Sequence, residues 1–350
     1  MSDTITVRAD ETFDEAKLAA FLRDKLASSD APLRVRQFGG GAANLTYLLD
    51  YGTVEYVLRR PPLGPVAPSA HDMSREFRVL AVLHEAFAPA PRAFLFCDDA
   101  AIIGAPFFVM ERRVGEVVRR AIPPVFDTPT APRQMSFALV DALADLHAVQ
   151  YTALGLAQLG KPDGFITRQI EGWYGRWQRA KLHESPAMDA VHAWLVANQP
   201  PPSVPTLVHN DYKLDNVMFA ADDPTNLVAV FDWDMCTLGE PLADLGTLLC
   251  YWSHPSDPPA FQLMAMMPID ERFPTRAELV QRYAARSGRD LRDINFYHVL
   301  GLYRLVVIIA QIYLRFERGQ TKDQRFVAFG PMIQIAAEAA QTLTRAGERN

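Results

Sequence analysis

Hydrophobic and polar positions follow two different periods along the first third of the chain. Residues 13–27 carry apolar side chains near helical spacing, which predicts a helix behind a cap at Asp10 or Thr12. The spacing then changes to the two-residue period of strands. Three strands are predicted there: Leu33 to Phe38, Leu45 to Asp50, and Val54 to Arg60. An amphipathic helix over Ser74 to Phe87 and a strand over Ile102 to Met110 complete a small sheet with a helix across it.

The remainder of the chain is mainly helical. Met135 to Val149 repeats its leucines with the helical period, and Gly172 to Gln199 carries three tryptophans on helix-like segments. Short strands are predicted at Thr206 to Val208, Val217 to Phe219 and Leu227 to Phe231. A β-rich first third followed by helices predicts an α+β protein with two lobes, 1–112 and 113–350, and a ligand-binding cleft between them.

Composition narrows the class of protein. The 350 residues are 49% hydrophobic, which is enough for a sizeable core, and the net charge of −6 disfavours a nucleic acid partner. The three cysteines are too widely spaced for a zinc site or a disulfide framework, and they favour reduced thiols in a cytoplasmic protein. The N-terminus lacks a signal-peptide pattern, and the apolar run Val299 to Leu314 is interrupted by Arg304. That run therefore predicts a buried helix rather than a membrane span.

The strongest chemical signal is the segment LVHNDYKLDNVMF followed by VAVFDWD. Asp211 and Asn216 lie in a loop between two predicted strands, and Asp232 comes at the end of a third strand. Phosphoryl transfer needs a carboxylate to accept the proton of the attacking hydroxyl, and oxygen ligands to hold Mg²⁺ against the nucleotide phosphates. The alternative is a polar turn without chemistry, since His, Asp and Asn are common turn residues.

This segment resembles the catalytic loop and metal-binding aspartate that protein kinases share with aminoglycoside phosphotransferases and choline kinases. The resemblance implies a protein-kinase-like bilobal fold, with a small β-rich N-lobe and a larger helical C-lobe. It implies that Asp211 is the catalytic base and that Asn216 and Asp232 bind Mg²⁺ beside ATP. It also implies that Lys213 lies near the γ-phosphate and that His209 supports the loop.

Two departures from the protein kinases indicate a small-molecule acceptor. Asp232-Trp233-Asp234 stands in place of their Asp-Phe-Gly, and Asp244 follows too soon for an activation segment. The segment Gly239 to Gly246 resembles instead the Gly-x-Pro-x-x-Asp-Leu element of small-molecule kinases. Asp244 is expected to brace the catalytic loop by accepting backbone hydrogen bonds.

The first third is expected to hold the nucleotide. A loop of small residues lets the backbone approach phosphates, and its candidates are Gly40, Gly41 and Asn44. This loop is not a Walker A loop, and a Gly-rich hairpin without a ligand is the alternative. At the end of the last strand of this lobe, backbone groups of a hinge are expected to bind the adenine edge. The hinge residues are Met110, Glu111 and Arg112.

The third strand carries Val57 and Arg59 on one face, by the two-residue period. The kinase pattern places an adenine-covering aliphatic residue and a phosphate-binding lysine at such positions. Arg59 keeps the positive charge of that lysine but is bulkier and planar. Glu76 on the following helix is its expected ion-pair partner, or else a solvated carboxylate on a helix face.

Several stretches are most similar to one branch of this family, the kinase-like domains fused to acyl-CoA dehydrogenases in animals. They are Val57 to Pro62, Gly160 to Gly164 with Arg168-Gln169, and Tyr303-Arg304-Leu305. The branch implies phosphorylation of a hydroxyacyl-CoA and a functional link to an acyl-CoA dehydrogenase. A set of cations either suits the phosphates of CoA or forms a solvated basic face: Arg112, Arg113, Arg119, Arg120, Lys161 and Arg168.

Three hypotheses stay open from the sequence. The leading one is an ATP- and Mg²⁺-dependent kinase acting on the hydroxyl of a small molecule, with no nucleic acid or membrane partner and with homodimerisation left open. The second is an aminoglycoside or amino-alcohol kinase that uses the same residues. The third is a nucleotide-binding pseudokinase, which the replacement of the usual lysine by Arg59 motivates.

Overall fold

The computed structural model describes residues 4–39, 44–63, 72–265, 267–321 and 323–347, and their contacts separate two units. The first unit comprises the chain up to Val114 together with Val228–Cys236, and the second comprises the rest. The lobe limits 1–112 and 113–350 stay a prediction. The segment Val228–Cys236 groups with the first unit because it is bonded there at both ends. The Val230 N–H donates to the Pro89 carbonyl at 2.8 Å, and the Arg75 guanidinium donates to the Cys236 carbonyl at 2.7 Å.

A six-stranded antiparallel sheet forms the body of the first unit, in the order β1-β2-β3-β4-β6-β5. Its strands are β1 Thr4–Ile5, β2 Arg34–Phe38, β3 Leu45–Asp50, β4 Glu55–Arg60, β5 Ala93–Cys97 and β6 Phe107–Glu111. The hairpin between β3 and β4 pairs Asp50 with Glu55. Its turn includes Gly52 at a φ of 85°, a backbone conformation that glycine adopts without steric cost.

Helices cover both faces of this sheet, since alternate side chains of a strand point to opposite sides. They are α1 Glu15–Leu22, α2 Met73–Leu83 and α3 Ala100–Ile103. One face buries Leu58 and Val109 in a cluster with residues of α1. On the other face, Phe77 of α2 packs against Phe108, with ring centroids 6.5 Å apart. Arg59 is on this second face by the same alternation.

The helix α1 begins later than its predicted cap. Asp14 accepts a hydrogen bond from the Lys17 N–H at 2.9 Å and is the actual N-cap. The predicted caps Asp10 and Thr12 precede the helix, and the Thr12 hydroxyl donates to the Ala9 carbonyl instead.

The strand predicted over Ile102 to Met110 is wrong in its first half. Asp99 caps the short helix α3 by accepting from the Ala101 N–H at 2.8 Å, and Gly104 ends it at a φ of 86°. Strand β6 begins only after this turn. The preceding strand β5 was not predicted, because its apolar sequence AFLFC has no alternation to mark it.

Helices form most of the second unit. They are α4 Ala131–Leu146, α5 Phe165–Ala180, α6 Pro186–Ala197, α7 Pro241–Tyr251, α8 Pro259–Leu263, α9 Arg276–Ser287, α10 Ile294–Glu317 and α11 Phe329–Gly347. Strand β7, Thr206–Val208, pairs with β10, Thr237–Gly239. Strand β8, Val217–Ala220, pairs with β9, Asp223–Val230, whose last residues belong to the first unit.

Helix α10 is at the centre of the second unit and packs against α5, α7 and α11. Where it crosses α7, Gly246 lets the two backbones come close, because a Cβ there would lie 2.2 Å from the Tyr297 carbonyl oxygen. By length and composition alone α10 could cross a membrane, but 61% of its most apolar window is buried inside the protein. A core helix passes the same test, so this is weak evidence for a span.

Candidate active site

In the first unit, Arg59 forms ion pairs with two carboxylates at once. Its Nη1 lies 3.2 Å from Glu76 Oε1 on α2, and its Nη2 lies 2.9 Å from Asp232 Oδ1. Strand β4 fixes the arginine, and the helix α2, which Asp72 caps, fixes Glu76. The planar guanidinium can serve both carboxylates because its nitrogens are held in a fixed fork. The predicted residues Arg59, Glu76 and Asp232 are therefore in direct contact.

Asp232 follows β9 in the left-handed backbone conformation, at φ 67° and ψ 59°. A non-glycine residue rarely adopts this conformation, so neighbouring contacts must hold it. The next residue, Trp233, is fully buried, donates its N–H to Glu76 Oε1 at 3.4 Å, and packs edge-on against Phe87. This turn brings the Asp232 carboxylate to Arg59.

Burial sets the electrostatics of this cluster. Loss of solvation raises the pKa of Glu76 to about 7, although the charge of Arg59 opposes the shift. Burial by itself would lower the pKa of Arg59, because it disfavours the charged guanidinium. The carboxylates of Glu76 and Asp232 outweigh this effect, so the pKa of the guanidinium is raised. Arg59 is thus a permanent cation, and Glu76 is the group whose charge responds to pH near neutrality.

Among the other residues predicted to bind nucleotide, Val57, Met110 and Glu111 lie on the same sheet. Val57 on β4 is paired in register with Met110 on β6, and both are buried. Glu111 uses its N–H to bond the Arg92 carbonyl at 2.8 Å, so this backbone donor belongs to the sheet. The guanidinium of Arg112 lies over the ring of Phe38, 4.9 Å from its centroid. Gly40 and Gly41 lie outside the described residues, whereas Asn44 is buried directly before β3.

In the second unit, the predicted catalytic loop follows β7, and Asp244 holds its backbone by hydrogen bonds. The buried carboxylate of Asp244 accepts the N–H of His209 at 2.7 Å and the N–H of Asn210 at 2.6 Å. It also pairs with Nε2 of the buried His147, whose Nδ1 lies 2.6 Å from the Tyr283 hydroxyl. Asp244 therefore braces the loop as the sequence suggested, but His147 and Tyr283 carried no sequence signal.

Asp211, Lys213 and Asn216 form one hydrogen-bonded group. Asn216 Nδ2 donates to the carbonyl oxygen and to Oδ2 of Asp211, both at 2.9 Å. Lys213 Nζ lies 2.8 Å from the same Oδ2. The short 3₁₀ helix Leu214–Asn216 turns the chain back so that an amide five residues later reaches Asp211. The loop thereby fixes the orientation of the Asp211 carboxylate.

Two residues beside this group were missed from the sequence. Asp215 Oδ1 is 4.0 Å from Lys213 Nζ, and burial raises the pKa of this carboxyl. The ring of Tyr251 lies below Lys213, with the ammonium 5.1 Å from its centroid. Burial and the Asp211 carboxylate together raise the pKa of the Tyr251 hydroxyl. Asp215 lies within the segment LVHNDYKLDNVMF but had no predicted role there, and Tyr251 lies outside it, so only the packing reveals them.

The donor set suits magnesium, which prefers oxygen ligands and keeps several waters. Asn216 uses its nitrogen on Asp211, so its amide oxygen Oδ1 is the atom that it offers to a cation. Asp232 supplies a carboxylate whose side chain keeps 29% of its surface exposed. Among the described residues there is no cluster of three or more His, Cys, Asp or Glu side chains that could hold a metal.

Comparisons with known proteins agree with this geometry. The model of the phosphotransferase enzyme family (APH) matches residues 34–297. Acyl-CoA dehydrogenase family member 11 of Rattus norvegicus is 34% identical over 98% of this chain, but the chain spans only 45% of that relative. The crystal structure of a candidate aminoglycoside phosphotransferase from Ralstonia eutropha is 29% identical, with a TM-score of 0.82 over 96% of this chain and 99% of that one.

A more distant solved structure supports the fold alone. Choline kinase from Cryptosporidium parvum has a TM-score of 0.61 at 10% identity, covering 96% of both chains. The antiparallel sheet of the first unit and the helices of the second are those of this structural class. The predicted α+β, protein-kinase-like fold is confirmed.

Proposed function

Because the chain belongs to the phosphotransferase enzyme family, we propose that it is a kinase that transfers the γ-phosphate of ATP to a hydroxyl of a small molecule. The observation that carries the proposal is the fixed carboxylate of Asp211. Asn216 and Lys213 hold one of its oxygens by hydrogen bonds, while Asp244 holds the backbone that precedes it. Asp244 thereby helps to hold the backbone in the conformation that presents the Asp211 side chain.

Asp211 is the residue that accepts the proton of the acceptor hydroxyl in this proposal. Its carboxylate is partly exposed, with 22% of the side-chain surface accessible, so a substrate hydroxyl can reach it. Lys213 neutralises part of the charge that develops during transfer, because its ammonium is already beside the same carboxylate. General-base assistance of this kind contributes roughly 10²–10⁴ in rate.

Arg59, Glu76 and Asp232 serve the nucleotide phosphates. Glu76 orients the Arg59 guanidinium, which is the permanent cation available to the phosphate oxygens. Asn216 Oδ1 and the Asp232 carboxylate would each supply an oxygen ligand to Mg²⁺, which would neutralise charge on the nucleotide phosphates. Arg59 is paired with both Glu76 and Asp232, and this arrangement favours the kinase over the pseudokinase.

For the acceptor we propose a hydroxyacyl thioester of CoA. Support comes from the similarity to acyl-CoA dehydrogenase family member 11 and from exposed cations suited to the phosphates of CoA. Within the predicted cationic set, Arg119, Arg120 and Lys161 are exposed. In contrast, Arg113 is paired with Glu111 at 3.0 Å, and Arg168 on α5 donates to backbone carbonyls of the loop before that helix.

The role of Asp211 can be tested by replacing it with asparagine. We expect Asp211→Asn to lose at least 100-fold in turnover of MgATP with the acceptor, while calorimetry shows MgADP binding within threefold of the wild type. Asp222→Asn is the matched control, since Asp222 is exposed in the turn after β8. Turnover close to that of the wild type in Asp211→Asn would show that another group is the base.

The acceptor can be identified by a panel. ATP consumption would be measured with a 4-hydroxyacyl-CoA, its free hydroxy acid, choline and an aminoglycoside. We expect turnover with the thioester and at least tenfold less with the free acid, because the acid lacks the CoA phosphates. Turnover only with the aminoglycoside or choline would replace the proposed acceptor. Binding of MgATP without transfer to any of the four would favour a pseudokinase.

A further inference from the structure

Arg304 is a buried cation in the most apolar helix of the protein. It lies in the middle of α10 with 5% of its surface exposed, and no carboxylate of the described residues forms an ion pair with it. Burying a charge without a counter-ion is costly unless strong hydrogen bonds compensate. An apolar side chain would suit the position better if packing were the only requirement. The arginine therefore has a further role.

The hydrogen bonds of Arg304 lead to the catalytic loop. Its Nη2 donates to the carbonyl oxygen of Asn210 at 2.7 Å, and its Nη1 donates to Thr247 Oγ1 on α7 at 3.2 Å. The guanidinium also packs over the indole ring of Trp173 on α5, 5.3 Å from its centroid. These contacts fix the guanidinium plane between two helices. Through Nη2, the guanidinium holds Asn210, the residue directly before Asp211.

The bonded carbonyl belongs to a residue whose backbone conformation needs support from neighbouring contacts. Asn210 is in the left-handed region at a φ of 66°, which is uncommon for a residue with a side chain. Its N–H is held by Asp244 and its carbonyl by Arg304. The same peptide group carries the N–H of Asp211, which donates to His209 Nδ1 at 3.2 Å. Both ends of the Asn210–Asp211 peptide are thus fixed.

We propose that Arg304 is a positioning residue for Asp211. By holding the Asn210 carbonyl, it sets the plane of the peptide from which the Asp211 side chain leaves the backbone. Displacing a reacting group by about 1 Å can cost about 100-fold in rate, so such control matters for transfer. The proposal rests on the proposed function for its effect on rate, but its effect on the loop does not depend on any activity.

The test compares Arg304→Met with Arg276→Met. Arg276 is the comparison arginine, because it is also poorly exposed and also bonds a backbone carbonyl, that of Leu249. It pairs in addition with Asp257, and these contacts lead to α7 and to Asp257 rather than to the Asn210 carbonyl. Hydrogen exchange measured by mass spectrometry would follow the peptide covering 207–217. We expect at least tenfold faster exchange in Arg304→Met and no selective change there in Arg276→Met. Equal exchange of this peptide in the two variants overturns the proposal.

Kinetics supply a second readout, with hydrolysis of MgATP to water as the probe reaction. We expect Arg304→Met to lower kcat about 10- to 100-fold with less than a threefold change in the KM for MgATP. Guanidinium ion at non-denaturing concentration should restore part of kcat in Arg304→Ala but not in Arg276→Ala. Unchanged kcat in an active Arg304→Met overturns the proposal. If the wild type neither hydrolyses MgATP nor transfers phosphate to any acceptor of the panel, the proposed function fails, and the exchange measurement still decides the role of Arg304.

The conservative variant separates charge from geometry. Arg304→Lys keeps the positive charge but cannot bond both acceptors with one planar fork. We expect it to fold at least as stably as Arg304→Met and to show intermediate exchange and intermediate kcat. If Arg304→Met does not fold, Arg304→Lys carries the same comparison with Arg276→Lys as its control.

Discussion

Replacing Arg59 by methionine is the most direct test of the ion pairs in the first unit. Methionine fills a similar space without charge, so Glu76 stays buried and loses its counter-ion. Glu76 has only 1% of its side-chain surface exposed, whereas Asp232 keeps 29% and stays partly hydrated. The main consequence is therefore an uncompensated carboxylate at Glu76. Breaking a buried ion pair by removing one partner costs about 3–5 kcal/mol of unfolding free energy.

The effect must depend on pH, because the pKa of Glu76 is raised from its ordinary 4.5 to about 7 by burial. The folded protein binds this proton more tightly than the unfolded chain, so stability falls as pH rises between these values. A pKa shift of this size changes the unfolding free energy of the wild type by about 3 kcal/mol across this pH range. In Arg59→Met the pKa of Glu76 should rise further. The variant should therefore be destabilised less at pH 5, where Glu76 is protonated, than at pH 8.

The assay is urea unfolding at pH 5 and pH 8 of the wild type, Arg59→Met, Glu76→Gln and the double variant. We expect Arg59→Met to lose about 3–5 kcal/mol at pH 8 and less than about 2 kcal/mol at pH 5. The double variant should lie within about 2 kcal/mol of the wild type at pH 8, since glutamine leaves no unpaired charge. Glu76→Gln alone should flatten the pH dependence. A loss in Arg59→Met below about 1 kcal/mol at pH 8, or the same loss at both pH values, would refute the reasoning.

Two further predictions concern the second unit. Gly246→Ala should lower the unfolding free energy by about 1–3 kcal/mol, because its Cβ would meet the Tyr297 carbonyl at 2.2 Å. Gly172→Ala on α5 is the control and should stabilise the protein by about 0.5–1 kcal/mol, since nothing lies within 4 Å of its Cβ. Equal effects of the two glycine substitutions in thermal unfolding would contradict the close crossing of α7 and α10. Asp244→Asn leaves one side-chain oxygen for the N–H groups of His209 and Asn210. It should lower the unfolding free energy in urea by about 1–3 kcal/mol and reduce MgATP hydrolysis at least tenfold. Unchanged stability and turnover would show that the loop is held elsewhere.

The sequence determined those features that depend on local periodicity and on short motifs. The strand-like run Leu45–Asp50, which precedes the turn at Tyr51-Gly52, predicted β3 with both ends placed correctly. The two-residue period put Val57 and Arg59 on one strand face, and the spacing of Asp211 and Asn216 indicated a loop in which they meet. Such inferences succeed because neighbours along the chain fix these relations. They fail where an apolar run has no clear period, as at β5.

Only the tertiary structure decided which distant groups share a contact. Arg59 and Asp232 are 173 positions apart, and no local pattern shows that one guanidinium holds both Asp232 and Glu76. Arg304 looked in the sequence like an interruption of an apolar run, but packing brings it to the Asn210 carbonyl, 94 positions away. The physical reason is burial, which is a property of the folded chain. Burial makes the protonation of Glu76 sensitive to pH near neutrality, and it makes the hydrogen bonds of Arg304 to the loop necessary.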